Sequence, residues 1–179
     1  MAENEIINIE YERNLDKAIE YIENNHKRDL DDYLQIIFLL TDFVSNGQYS
    51  EDKHNYYAGL LKKYFIESYC KYSYNSEYLF YVAFIASMSE WYFEIEMKEI
   101  ESMLAEAARL EPENLLYKWG FYSISDQQSN INTEDKYSLS KQILEDNILV
   151  EKIEQKGLLG EYLKGFILSI YESTKVLLQ

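Results

Sequence analysis

The chain has 179 residues, 47% of them hydrophobic, with 32 acidic against 17 basic side chains and a formal net charge of −15. That apolar content excludes a disordered chain, and the length suits a single domain, residues 1–179, with a substantial core. The charge repels phosphate backbones and anionic bilayers, so the expected partner is a basic protein, with no nucleic acid and no membrane.

Helical periodicity runs nearly end to end. Segment 11–26 places Leu15, Ala18, Ile19 and Ile22 at helix spacing with charges opposite. Segment 30–45 is apolar on most sides, from Leu34 to Val44, which predicts a central helix. Asn46-Gly47 predicts a left-handed stop, and Ser50 is placed to cap the next helix, 51–72. That helix carries a broad stripe of Tyr57, Leu60, Leu61, Tyr64, Phe65 and Tyr72. A fourth helix restarts at Asn75-Ser76 and runs through Phe84 and Ile85, and a fifth runs from Ser89 to Leu110 before Glu111-Pro112 ends it. A sixth covers 114–124, Ser125 to Asn132 is a polar loop, and Thr133 caps a helix over 134–156. Gly157 and Gly160 divide this from a last helix at 161–177. With no sustained two-residue alternation, the fold class is all-α: about eight helices in stacked antiparallel hairpins.

Two segments carry a repeat signature. Leu15-Asp16-Lys17-Ala18-Ile19-Glu20-Tyr21-Ile22 resembles the second helix of a tetratricopeptide repeat, as does Leu104 to Asn114, where Ala107 matches the small packing residue and Pro112 the closing proline. The resemblance implies stacked helical hairpins. The chain departs from the pattern at Lys118, where a tryptophan or similar residue is expected, and no 34-residue period of the family runs through residues 30–100.

Candidate chemistry is sparse. Cys70 is the only cysteine, which excludes an internal disulfide and a tetrathiolate metal site. The start Met1-Ala2-Glu3-Asn4-Glu5 lacks the basic and apolar segments of a signal peptide, and the longest apolar run, Leu79 to Met88, is too short to span a bilayer. The expected address is the reducing cytoplasm. Glu23 with His26, and Glu51 with His54, share the Glu-x-x-His spacing of helical di-metal sites, but each lies at a polar helix end rather than facing a bundle core. Neither histidine sits in an apolar, glycine-flanked setting suited to a general base, and Gly157-Leu-Leu-Gly160 lacks the lysine and strand of a phosphate loop. The expectation is a protein that is not an enzyme and holds no cofactor or metal.

Aromatic residues among carboxylates are the stronger signal. On the fifth helix Phe93, Met97, Ile100, Leu104 and Ala107 form a core stripe. A second side carries Trp91, Ile95, Glu99, Ser102 and Glu106, with Tyr92 and Met103 at its edge and Glu94 beside it. This strip is either a partner-binding hot spot or a second packing seam. Tyr69, Tyr72, Tyr74 and Tyr78 span the next turn back, where four rings cannot all be buried, so some of them are expected on the binding surface. In its size, acidity, abundant tyrosine and lack of a catalytic constellation, the chain resembles the all-helical immunity proteins of contact-dependent growth inhibition. The resemblance implies an inhibitor that masks the active site of a basic, nuclease-type toxin domain. The alternative is a tetratricopeptide-like adaptor or chaperone that cradles an extended basic peptide in its concave face.

Overall fold

The computed structural model describes residues 14–124 and 133–178. These form ten α-helices and no strand: α1 (Leu15–Asn24), α2 (Leu30–Asn46), α3 (Glu51–Tyr72), α4 (Ser76–Ala86), α5 (Glu90–Phe93), α6 (Met97–Leu110), α7 (Leu115–Ile124), α8 (Thr133–Glu145), α9 (Asn147–Glu154) and α10 (Gly157–Leu177). The polar loop expected at 125–132 lies outside the described residues.

Short polar side chains set many of the helix starts, because each satisfies a backbone N–H that has no partner within the helix. Asn14 accepts from the Lys17 amide, Asn75 from Tyr78, and Asp146 from Ile148 and Leu149. Asp29 and Asp32 form a reciprocal capping box at α2.

The helices pair as antiparallel hairpins, α2 with α3 and α4 with α6, and α2 packs beside α4. On the other flank α7 packs on α6, and α8 bridges α7 and α10. One continuous hydrophobic cluster reaches from Leu15 to Ile167. At its centre α4 is buried on every side from Tyr78 to Ala86, which is why its apolar run shows no amphipathic period. Both tetratricopeptide-like segments pack through small residues: Ala18 and Ala107 are fully buried. Gly120 completes the close approach of α7 to α4, since a Cβ there would lie 2.5 Å from the Phe80 ring.

Four expectations are corrected. The helix foreseen from Ser89 to Leu110 is two helices, broken at Glu94, whose φ of 55° is left-handed. The helix foreseen over 134–156 is also two, because Asp146 ends α8 and caps α9. Helix α2 does stop at Asn46, but Gly47 is extended (φ −80°) rather than left-handed; glycine is needed there because a Cβ would collide with the Tyr49 ring and the Phe43 carbonyl. Only Gly157, at φ 63°, turns the chain into α10; Gly160 lies inside that helix.

Candidate functional site

Helices α3 and α6 run in the same direction along one side of the molecule. An ion pair between Lys62 and Glu94 ties them at one end, and a hydrogen bond from Ser76 to Glu111 ties the segments that follow at the other. Between them lies a groove of about 340 Å³. Buried Phe65 from α3, Leu79 from α4 and Met103 from α6 contribute apolar side chains to its lining. Tyr69 and Ser73 stand on the α3 side, and Ile95, Glu99, Ser102 and Glu106 on the α6 side.

The chain breaks at Glu94, at the α5 end of the groove. Phe93 turns inward and packs edge-on against Phe65, with ring centroids 5.3 Å apart, while Trp91 stays 61% exposed on the short helix α5. Tyr92 locks that helix in place. Its hydroxyl donates to the Val44 carbonyl (3.1 Å), and because that uses its only proton, His54 Nε2 is the donor in the 2.9 Å contact between them. A left-handed non-glycine residue costs on the order of 1–2 kcal/mol. The Glu94–Lys62 pair and the burial of Phe93 hold the turn against that cost.

The acidic side chains of the groove have defined partners within the chain. Glu99 accepts from the Glu96 amide at 2.9 Å, starting α6. Glu106 receives both Arg109 Nε and Nη2, at 2.6 and 2.7 Å, and this forked hydrogen bond holds its carboxyl below the usual range. Each carboxylate faces water and keeps acceptor capacity for an incoming cation.

The structure divides the expected binding residues. Tyr69, Glu99 and Glu106 meet in the groove together with Ile95, Ser102 and Met103 from the same predicted strip. Trp91 and Glu94 stand at its α5 end. The four tyrosines do not form one surface. Tyr74 is 92% exposed. Tyr72 is half-buried and packs against Tyr33 and under Lys71. Tyr78 has no exposed area: its hydroxyl bonds to Ser68 Oγ at 2.8 Å, and burial pushes its phenol well above the ordinary value. Tyr78 is therefore a core residue and is removed from the binding set, because the α3–α4 turn folds it beneath Tyr69 and Tyr72. Tyr92 serves mainly as the tie described above.

No family model, curated protein or solved structure matches the chain. The site is therefore read from its own chemistry.

The Glu-x-x-His pairs do not converge on a centre. Glu23 and His26 are exposed, and His54 is engaged by Tyr92. Among the described residues no group of three or more His, Cys, Asp or Glu side chains is placed to hold a metal ion. Cys70 is exposed. No described helix is long and apolar enough to cross a membrane.

A second polar cavity, about 200 Å³, is built around Lys156, which had no signal in the sequence. Its ammonium lies 2.6 Å from both Asp31 and Glu77 and is only 12% exposed. Burial works against the charge, but hydrogen bonds to the two carboxylates outweigh it and raise the lysine above its ordinary value. Because the cation is neutralised within the chain, this cluster reads as a tie between the carboxyl-terminal helices and the two leading hairpins.

Proposed function

We propose that the chain is a protein-binding inhibitor of the immunity type, which captures a basic, nuclease-type toxin domain and masks its active site. The observation that carries this reading is the α3–α6 groove: an apolar floor, an exposed tyrosine and tryptophan at its edges, and carboxylates along one wall, on a chain of net charge −15. Aromatic anchors in a partly dry groove supply binding energy, and surrounding charge speeds encounter with a cation.

The test is stopped-flow association with a purified basic nuclease domain encoded beside this chain, at low and high salt. The on-rate is expected to fall at least about tenfold as the salt rises. Reversing Glu99 and Glu106 to lysine should slow association, whereas Tyr69→Ala should mainly speed dissociation. Co-expression should protect cells from the toxin. A salt-independent on-rate together with no protection rules the reading out.

A further inference from the structure

We infer that the α3–α6 groove takes an amphipathic helix of its partner, with apolar residues one turn apart flanked by arginine or lysine. The inference rests on the inhibitor reading only in taking this groove as the docking face. Three features of the groove lead to it.

The first is shape. The lining runs from Phe65 to Ser73 on the α3 side, a rise of about 12 Å, and from Glu99 to Glu106 along α6, a rise of about 10 Å, so the trough is roughly two helical turns long. The second is backbone chemistry. Apart from Ile95 and Ser73 at the helix ends, the wall residues are helical, with amides and carbonyls bonded along their own helices, so an extended segment would find no continuous edge to pair with. Its own polar backbone would then lie over Phe65, Leu79 and Met103 unsatisfied. A helix satisfies its backbone internally and offers only side chains, the usual solution for an apolar trough between helices.

The third feature is charge. Glu99 and Glu106 stand seven residues apart on one face of α6, a rise of about 10 Å, which matches basic residues two turns apart on the incoming helix. Glu106 already holds Arg109 in a forked pair at the rim. Arg109 therefore occupies the position a partner arginine would take, and an incoming guanidinium exchanges with it. Ser73 and Ser102 are small, so both walls leave room for partner side chains to reach the floor.

The experiment is a selection from a displayed library of 14- to 16-residue peptides, carried out on the full chain, with counter-selection on Ser102→Trp. Ser102 is exposed and its hydroxyl bonds only to the Lys98 carbonyl of its own helix, so the variant fills the trough without entering the core; an unchanged melting temperature checks this. Glu99→Lys with Glu106→Lys is the second variant. Enriched peptides should be helical, apolar at i, i+4 and i+7, and basic at the flanks. Each variant should weaken them at least tenfold, with a blue shift of exposed Trp91 on binding to the parent. Arg109→Gln should tighten them more than Lys98→Gln, which removes the same charge without freeing Glu106. Proline-rich or extended binders, binding that survives Ser102→Trp, or no enrichment at all would overturn the inference. In any of those cases, salt-dependent capture of a folded basic domain would leave the inhibitor reading standing.

Discussion

Two glycines five residues apart in α10 should respond to alanine with opposite signs. A Cβ on Gly160 would lie 1.8 Å from the Ile153 carbonyl oxygen and 2.8 Å from its carbon, and this obstacle is backbone. Helix α9 would have to retreat by about 1.2–1.6 Å, a shift that costs about 1–3 kcal/mol or more in a packed interior. The better helix propensity of alanine returns at most about 1 kcal/mol. The net expectation for Gly160→Ala is a loss of about 1–2 kcal/mol. A Cβ on Gly165 would meet nothing within 4 Å, so Gly165→Ala keeps the propensity gain and should stabilise by about 0.5–1 kcal/mol. Urea titration followed by far-ultraviolet circular dichroism reads both changes as midpoints at constant slope. In thermal melts a chain of this size should move about 2–4 °C per kcal/mol. If the two variants shift stability in the same direction, or Gly160→Ala matches the parent, the assigned contact between α9 and the start of α10 is wrong.

Lys156→Met should destabilise by about 1.5–3 kcal/mol in urea melts at neutral pH, since it removes charge-assisted bonds to Asp31 and Glu77, although both carboxylates are partly exposed and rehydrate. The folded lysine titrates above its ordinary value, so its contribution is complete below that value and is lost as the pH rises through the folded one; parent and variant stabilities should converge only in strong alkali. Burial pushes Tyr64 up to about 12 and raises Tyr81 and Tyr117 as well. The unfolded chain therefore releases these protons first, and stability should fall as the pH rises above about 10. Ultraviolet titration should show a set of tyrosines ionising only with the loss of helical signal. Tyr92→Phe should cost about 1 kcal/mol and broaden the His54 ring resonances, because the tie from α5 to Val44 is cut. Unchanged stability and spectra would mean that α5 is held by Phe93 alone.

Much of the fold was legible in local spacing. Leu15, Ala18, Ile19 and Ile22 are all buried as their period required, and so are Tyr57 and Tyr64 in the tyrosine stripe. One wall of the groove could also be read in advance, because Glu99, Ser102, Met103 and Glu106 share a side of α6 at helical spacing, and Ile95 continues that strip from the link before it. The opposite wall and the floor carried no such signal. Phe65 and Leu79 look like any core residue until α4 and α6 are set beside α3.

What the sequence determined by itself was the all-α class, the largely apolar helix α2, most helix ends and the surplus of negative charge. Each follows from interactions within a few residues or from simple counting. The tertiary structure alone decided which tyrosines face water. Tyr69 and Tyr78 are nine residues apart on consecutive helices, yet one lines the groove and the other lies fully buried against it. It alone also brought Lys62 to Glu94, and Lys156 to Asp31 across 125 positions. Those pairings depend on how whole helices stack, and no local period encodes the partner.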